Sequence, residues 1–338
     1  MMTAYKEDGT VPVVAVWMIT YNHENFIEEA IEGVMMQKTS FPFRLYIGED
    51  YSSDNTRKIC IQLKDKYRDK IHLVLQKKNL GVGPHGNGML MYDVCFKSGA
   101  KYIAMCEGDD YWTDPYKLQK QVDFLRANSD CVLCHHWHKY SVPRKDGSFE
   151  EIPAPTMNQG YLPQKKALVK EIFANKLRVK TRTLMFKNVL DELPEWFPKM
   201  AYGDVTLSMI LGEYGSFGFI DEPMAVYRQT GEGISSTGKG SYLFIYNHYL
   251  EWIKLWEYCL KHYNYQYYRE AKGTILYFYT FILKNYAFSV SIFLKLFLYA
   301  FYNSRLTIVR KLDICLSLIK LFSTSFIPLF YQRIKAKV

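Results

Sequence analysis

Short apolar runs and segments of helical period alternate along the first third of the chain. Val11–Ile19 is an unbroken apolar run, as expected of a strand covered on both faces. After it, Phe26, Ile27, Ala30, Ile31, Val34 and Met35 recur at helical spacing, and Asn25 with Glu28 three residues on has the form of a capping box. Phe43–Ile47 predicts a second strand and Thr56–Lys66 a second helix. Ile71–Leu75 predicts a third strand, followed by a Gly-rich loop and a helix reaching Phe96. Tyr102–Cys106 predicts a fourth strand. Asp114-Pro115 then opens a helix, because Pro suits the first helical turn and Asp can cap it, and Leu118, Val122 and Leu125 share one face of that helix. Four strand–helix alternations predict an α/β fold with a parallel, doubly wound sheet and helices on both faces. All four strand exits then fall on one edge of the sheet.

The pattern continues less regularly. Cys131–Cys134 and Thr183–Phe186 predict strands, Leu168–Phe173 a helix, and the Pro- and charge-rich residues 141–165 a surface loop. Glu192–Lys199 is a Pro-punctuated connection, and Gly203-Asp204 opens a helix through Leu211. Gly215–Ile220 and Met224–Tyr227 predict two short strands, and Gly231–Gly240 a mobile Gly/Ser-rich break. Residues 242–337 predict helices with Tyr, Phe, Leu and Ile faces and interspersed Lys/Arg. The expected division is an α/β domain over 1–239 and a helical region over 240–338.

Charge sharpens this division. The net charge of +9 falls entirely in residues 240–338, which hold 13 Lys/Arg against 4 Asp/Glu; the remaining 30 basic and 30 acidic residues cancel. The same region holds 26 of the 55 aromatic residues. Two compatible readings follow: a helical cover for the core, or helices lying in the plane of an anionic membrane surface. Nucleic acid is disfavoured, because the positive charge sits beside large apolar faces rather than along a polar groove. No run reaches the ~20 apolar residues of a spanning helix. Seven Cys, an odd number without a secreted-type framework, and an opening MMTAYKEDGT without an apolar signal segment point to a cytoplasmic setting, with a peripheral position at the inner membrane face.

The stretch with the clearest chemistry is AMCEGDDYWTDP. It sets Glu107, Asp109 and Asp110 directly after a buried strand and before a helix, with Gly108 to turn the chain. Open α/β sheets bind ligands at such carboxyl ends of strands. Crowded carboxylates repel and raise one another's pKa unless a cation joins them. A hard divalent ion, Mg²⁺ or Mn²⁺, held by carboxylates and by substrate phosphates, answers that repulsion. Three other motifs are set aside. Cys131-Val132-Leu133-Cys134-His135 spells a haem-attachment pattern, but inside a hydrophobic strand, so its cysteines read as core. His135, His136 and His138 fall on opposite faces of that strand, which splits a zinc set, although one of them could reach an acceptor pocket. The Gly81–Gly86 loop lacks the Gly-Lys-Ser/Thr of a P-loop.

Taken in order, VVAVWMITYN, GEDYSSDNT, NLGVG…N and EGDDYWTDPYKLQKQ resemble glycosyltransferase family 2 across residues 11–235, most closely its bacterial surface-polysaccharide members. The resemblance implies a GT-A fold, a nucleotide-sugar donor, a divalent metal and inversion at the anomeric carbon. It implies donor contacts from Thr20 and Tyr21, the latter stacking on a uracil-like base, and from Glu49 and Asp50, the latter reaching the base. Asp54 reads as a helix cap. Gly81 and Asn87 match a donor loop in which Gly86 stands where relatives often have Arg. Glu107 and Asp109 match the metal motif, with Glu replacing its usual first Asp, and Asp110 is a ligand for metal or ribose. Asp204 matches the catalytic base, with a helix-capping Asp as the plainer reading. Thr230 stands where many relatives carry a metal-binding His. The function expected is sugar transfer from a UDP-sugar to a hydroxyl of a surface glycan or lipid-linked precursor. The alternatives are a nucleotidyltransferase, whose Gly-rich, Arg-bearing loop after the first strand is not offered by Thr20-Tyr21-Asn22-His23, and a non-catalytic membrane-surface protein with a degenerate donor site.

Overall fold

A computed structural model describes residues 11–83, 85–154, 164–230, 241–286 and 289–335. Its first half follows the alternation: β1 (Val14–Thr20), α1 (Ile27–Met35), β2 (Phe43–Glu49), α2 (Thr56–Tyr67), β3 (Ile71–Leu75), α3 (Asn87–Phe96) and β4 (Tyr102–Met105). β5 (Tyr111–Trp112), α4 (Lys117–Ala127), β6 (Cys131–Pro143), β7 (Phe149–Pro153), β8 (Lys166–Ala167) and α5 (Val169–Phe173) come next. β9 (Met185–Lys187), α6 (Gly203–Leu211) and β10 (Ser216–Arg228) complete the sheet, and α7 (Tyr242–His262), α8 (Tyr268–Asn285), α9 (Val290–Leu298) and α10 (Ile308–Lys335) follow.

The strands form one sheet in the order β3-β2-β1-β4-β9-β6-β10-β5, with β7 on β6 and β8 on β10. β1 to β4 are mutually parallel, β6 and β10 are parallel, and β9 and β5 run against their neighbours. β1 is buried almost throughout because helices cover both its faces. Val14, Val16 and Met18 join a core with Ile27, Ile31 and Val34 of α1 and Cys60 and Leu63 of α2. On the other face the Trp17 ring stacks on Tyr92 of α3, centroids 5.2 Å apart.

Several local expectations need correcting. Asn25 does not cap α1: its N-terminus has no side-chain cap, and the Phe26 and Ile27 amides both donate to the His23 carbonyl. α4 starts at Lys117, later than expected, because Asp114 closes a turn by accepting from the Tyr116 amide (2.7 Å). The loop expected over 141–165 contains a hairpin. β6 runs on to Pro143, Gly147 turns the chain at φ 84°, and β7 pairs Tyr140 with Ile152; residues 155–163 lie outside the described set. The two strands expected over 215–227 are one. β10 absorbs Pro223, which has no N–H to give, through register shifts on either side of it. The break expected over 231–240 lies outside the described residues.

The described chain resolves into two compact units. One holds residues up to 169 with 179–199 and 203–230; the other holds 170–178, 200–202 and the C-terminal helices. In the second unit, Trp256 Nε1 of α7 (2.9 Å) and Thr274 Oγ1 of α8 (2.8 Å) both donate to the Phe173 carbonyl. Tyr202 stacks flat on Trp252, centroids 3.8 Å apart. No helix among the described residues is long and apolar enough to cross a membrane.

Candidate active site

The exits of β1 to β4 are stitched together by backbone hydrogen bonds. The Asp50 amide donates to the Thr20 carbonyl, the Gly108 amide to Ile19, and the Gln76 amide to Glu49, each at 3.0 Å. Gly108 is required by this close approach. A Cβ there would lie 2.7 Å from Thr20 Oγ1 and 3.1 Å from His23 Nδ1, so the acidic loop can lie flat on the end of β1 only as glycine. Its φ is not left-handed, so tight packing rather than a sharp turn explains it. Thr20 is buried and its hydroxyl meets His23 Nδ1 at 3.2 Å.

The three acids converge here. Ligand oxygens of Glu107, Asp109 and Asp110 lie within 4.8 Å of one another, the single such group of three found among the described residues. They are not equivalent. Asp110 is fully buried and engaged: Oδ2 accepts from Arg182 Nε (2.6 Å) and Oδ1 from the Arg228 amide (3.1 Å). Arg228 Nη1 also donates to the Asp109 carbonyl at 2.8 Å, and its other nitrogen pairs with Glu29. The carboxylates of Glu107 and Asp109 accept from no other residue among those described, so they are the open pair.

The electrostatics follow. Burial raises the Glu107 carboxyl far above its usual range, and repulsion from Asp109, Asp110 and Asp204 adds to it. Burial also raises Asp109 and Asp110; Arg182 and Arg228 pull Asp109 back, while for Asp110 the pull of Arg182 and the Arg228 amide opposes repulsion from Asp109. Two crowded, open carboxylates, whose mutual repulsion Arg182 and Arg228 offset only in part, make a donor set that fits a hard divalent cation. Glu107 and Asp109 could hold it, and Asp110, braced by two arginines, fixes the loop that carries them.

Most of the other expected donor residues hold the strand exits in place: Glu49, Asp50 and Asn87 are buried. Tyr21 is 44% exposed, immediately past β1. Glu49 is buried, accepts from the Ser52 amide (2.6 Å) and pairs with Arg57, which also donates to the Gln76 carbonyl. The Asp50 carboxylate accepts from the Leu80 (2.8 Å) and Gly81 (2.9 Å) amides and so ties the loop after β3 to the exit of β2. Gly81 sits at φ 61°, a conformation glycine adopts without strain. Asn87 starts α3, donates to the Gly48 carbonyl (2.8 Å) and accepts from Gln76 Nε2 (3.0 Å). The loop closes so tightly that a Cβ on Gly86 would meet the Gly81 carbonyl at 2.5 Å, which accounts for the absence of an Arg there. Asp54 accepts from the Thr56 amide at the head of α2 (2.9 Å) and from the Glu24 amide (3.0 Å).

Asp204 is the second residue of α6 rather than its cap. It is half-buried, with Oδ1 on the Val205 amide (2.8 Å), and close enough to Glu107 and Tyr92 to act on both electrostatically. Thr230 lies two residues past Arg228. The seven cysteines are free and buried, and His135, His136 and His138 are all buried in β6. Burial depresses their pKa values, that of His135 to about 4 and that of His138 to about 3.

Sequence reasoning did not single out the bracing residues Arg182, Arg228 and Arg57, nor His23, whose pKa is lowered by burial against the pull of Asp54 and Asp110. Arg182 is 72 residues from its partner Asp110. No local spacing could have announced that pairing.

Comparison with known proteins bears on the family and the fold. Residues 15–193 match the family model described as glycosyl transferase family 2. Over 224 residues the chain is 30% identical to the uncharacterized protein Rv1520 of Mycobacterium tuberculosis, covering 64% of this chain and 58% of that protein. It is 29% identical over 124 residues to the dTDP-rhamnosyl transferase RfbG of Shigella flexneri, covering 37% and 39% of the two. The match to the first of these spans under two thirds of the relative's length. The solved mannosyltransferase PcManGT of Pyrobaculum calidifontis, in complex with GDP-Man and Mn²⁺, aligns at a TM-score of 0.50 and 12% identity over 93% of this chain and 87% of that one, a likeness of GT-A fold. With more than half of its residues covered by the family model, the chain belongs to glycosyltransferase family 2.

Proposed function

We propose that the chain is an inverting, metal-dependent glycosyltransferase that moves a sugar from a nucleotide diphosphate donor, a UDP-sugar, to a hydroxyl of a bacterial surface glycan or lipid-linked glycan precursor. The observation that carries this reading is the open Glu107–Asp109 pair beside the stitched exits of β1 to β4. The named activity of RfbG and the GDP-Man and Mn²⁺ bound to the Pyrobaculum enzyme support a nucleotide sugar and a divalent ion.

Tyr21 is exposed and available to stack on the base. Asp50 holds Gly81, and Asn87 holds Gly48, so that the donor loop keeps one shape. Glu107 and Asp109 would hold Mg²⁺ or Mn²⁺, which when bound neutralises charge on the leaving diphosphate. Asp204 takes the proton of the acceptor hydroxyl. The hydroxyl oxygen then bonds to the anomeric carbon from the face opposite the donor, the bond from that carbon to the diphosphate oxygen breaks with its electrons, and the configuration inverts. The basic, aromatic C-terminal region suits an anionic membrane, where lipid-linked acceptors are found.

A thermal-shift screen of nucleotide sugars with and without Mn²⁺ tests the reading. We expect a metal-dependent rise in melting temperature with a UDP-sugar, lost in Asp109→Ala, and release of nucleoside diphosphate when an acceptor is added. Donor binding without release under any condition would favour the non-catalytic alternative. A shift retained in Asp109→Ala would remove the proposed metal site.

A further inference from the structure

Helices α9 and α10 bury one side and leave another bare. On α9, Leu296 is buried, and Phe293 stacks on Phe322 of α10 with centroids 4.2 Å apart. On α10, Ile314 and Leu318 are buried. Beside these contacts each helix carries a second apolar stripe at i, i+4 and i+8 or i, i+4 and i+7 spacing. It comprises Val290, Leu294 and Leu298 on α9 and Leu312, Leu316 and Ile319 on α10, all between 47% and 66% exposed. Phe293 follows Val290 by three positions and Phe322 follows Ile319 by three, so both stripes border the ring stack that joins the helices. Exposed apolar side chains grouped in stripes, rather than scattered singly, are a feature of interaction surfaces.

The charge around the stripes selects the partner. Residues 290–338 contain eight Lys/Arg and a single acid, Asp313. Lys295 precedes Leu298 by three residues and Lys320 follows Leu316 by four, so both exposed lysines border the stripes about one turn away. A second copy docked face to face would bring like charge against like. An anionic bilayer offers apolar chains to the leucines and phosphates to the lysines. Neither helix is apolar enough to cross.

We infer that the outer faces of α9 and α10 are a docking surface for an anionic lipid membrane, with the two helices lying in its plane. This deepens the membrane-facing part of the proposed function and rests on it, yet its test needs no sugar transfer. Full-length protein is floated with vesicles of phosphatidylcholine alone and of phosphatidylcholine with phosphatidylglycerol, at low and high salt. Expected is at least roughly tenfold stronger binding to the anionic vesicles, reduced by salt. Leu294→Glu with Leu316→Glu should lower it about tenfold, because a charge enters the stripe that the bilayer would cover. Lys295→Gln with Lys320→Gln should lower it roughly tenfold and flatten the salt dependence; this pair decides the matter if the acidic pair fails to fold by circular dichroism. Equal binding to both vesicle types, or binding indifferent to the lysine pair, would overturn the proposal. So would loss of a dimer in sedimentation, without change in flotation, when the same leucines are replaced. A donor-dependent thermal shift that persists without vesicles separates failure here from failure of the transferase reading.

Discussion

Asp110 is a buried carboxylate with both oxygens taken by Arg182 and the Arg228 backbone, and Arg182 is buried with it. Removing one partner strands the other's charge. Arg182→Ala is therefore expected to lower unfolding stability by about 3–5 kcal/mol, and Arg182→Met with Asp110→Asn by less, as read from urea midpoints. Asp109 has the opposite balance: its charge is crowded and without a donor from another residue. Asp109→Asn should raise the melting temperature in EDTA while abolishing the stabilisation by Mn²⁺ seen in the parent chain; a lower melting temperature in EDTA would contradict the picture of strained, open ligands. Gly86→Ala, which drives a methyl into the Gly81 carbonyl, should cost about 1–3 kcal/mol and weaken donor binding. Much of the site at this scale was legible. Glu107, Asp109 and the Thr20 exit could be read because each directly follows an apolar strand. Arg182 and Arg228 could not, because contacts made across the fold leave no periodic trace in the chain.

At the scale of elements, apolar period located β1 to β4 and the helices between them because both faces of that part of the sheet are covered. Where that condition lapses, the pattern no longer marks the elements. β5 has only two residues, the β6–β7 hairpin is polar on its outer positions, and Pro223 split β10 in the reading but only bulges it in the fold. Among the helices, Glu257 of α7 makes a specific prediction. It is buried, accepts from the Arg305 amide (3.1 Å), and its Oε1 has no partner among the described residues. Burial pushes its pKa up to about 7, against the pull of the Arg305 amide. A folded pKa above the unfolded one means that the contribution to stability is fully present below about pH 4.5 and is lost as pH rises through 7. The loss amounts to something on the order of 3 kcal/mol by pH 8. Melting curves from pH 4.5 to 8 should show this fall in the parent and a flatter profile in Glu257→Gln; parallel profiles would refute it.

At the scale of the whole molecule, composition changes near residue 240 and helices follow, and residues 170–178 and 200–202 group with those helices in one compact unit. Composition reports what a segment contains, and the Phe173 carbonyl finds its donors, Trp256 and Thr274, 83 and 101 residues further on. A chain ended at residue 239 should therefore melt well below the full chain rather than behave as a self-sufficient domain. Equal melting temperatures would show that segment 170–178 needs no cover. The proposed chemistry requires one divalent ion and one nucleoside diphosphate to share the edge where β1 to β4 end. Electron paramagnetic resonance of free Mn²⁺ during titration with the protein, with and without UDP, measures this directly. Expected is about one Mn²⁺ bound per chain, more tightly with UDP present, and binding lost in Glu107→Gln with Asp109→Asn. Unchanged Mn²⁺ uptake in that variant, or uptake indifferent to UDP, would contradict it.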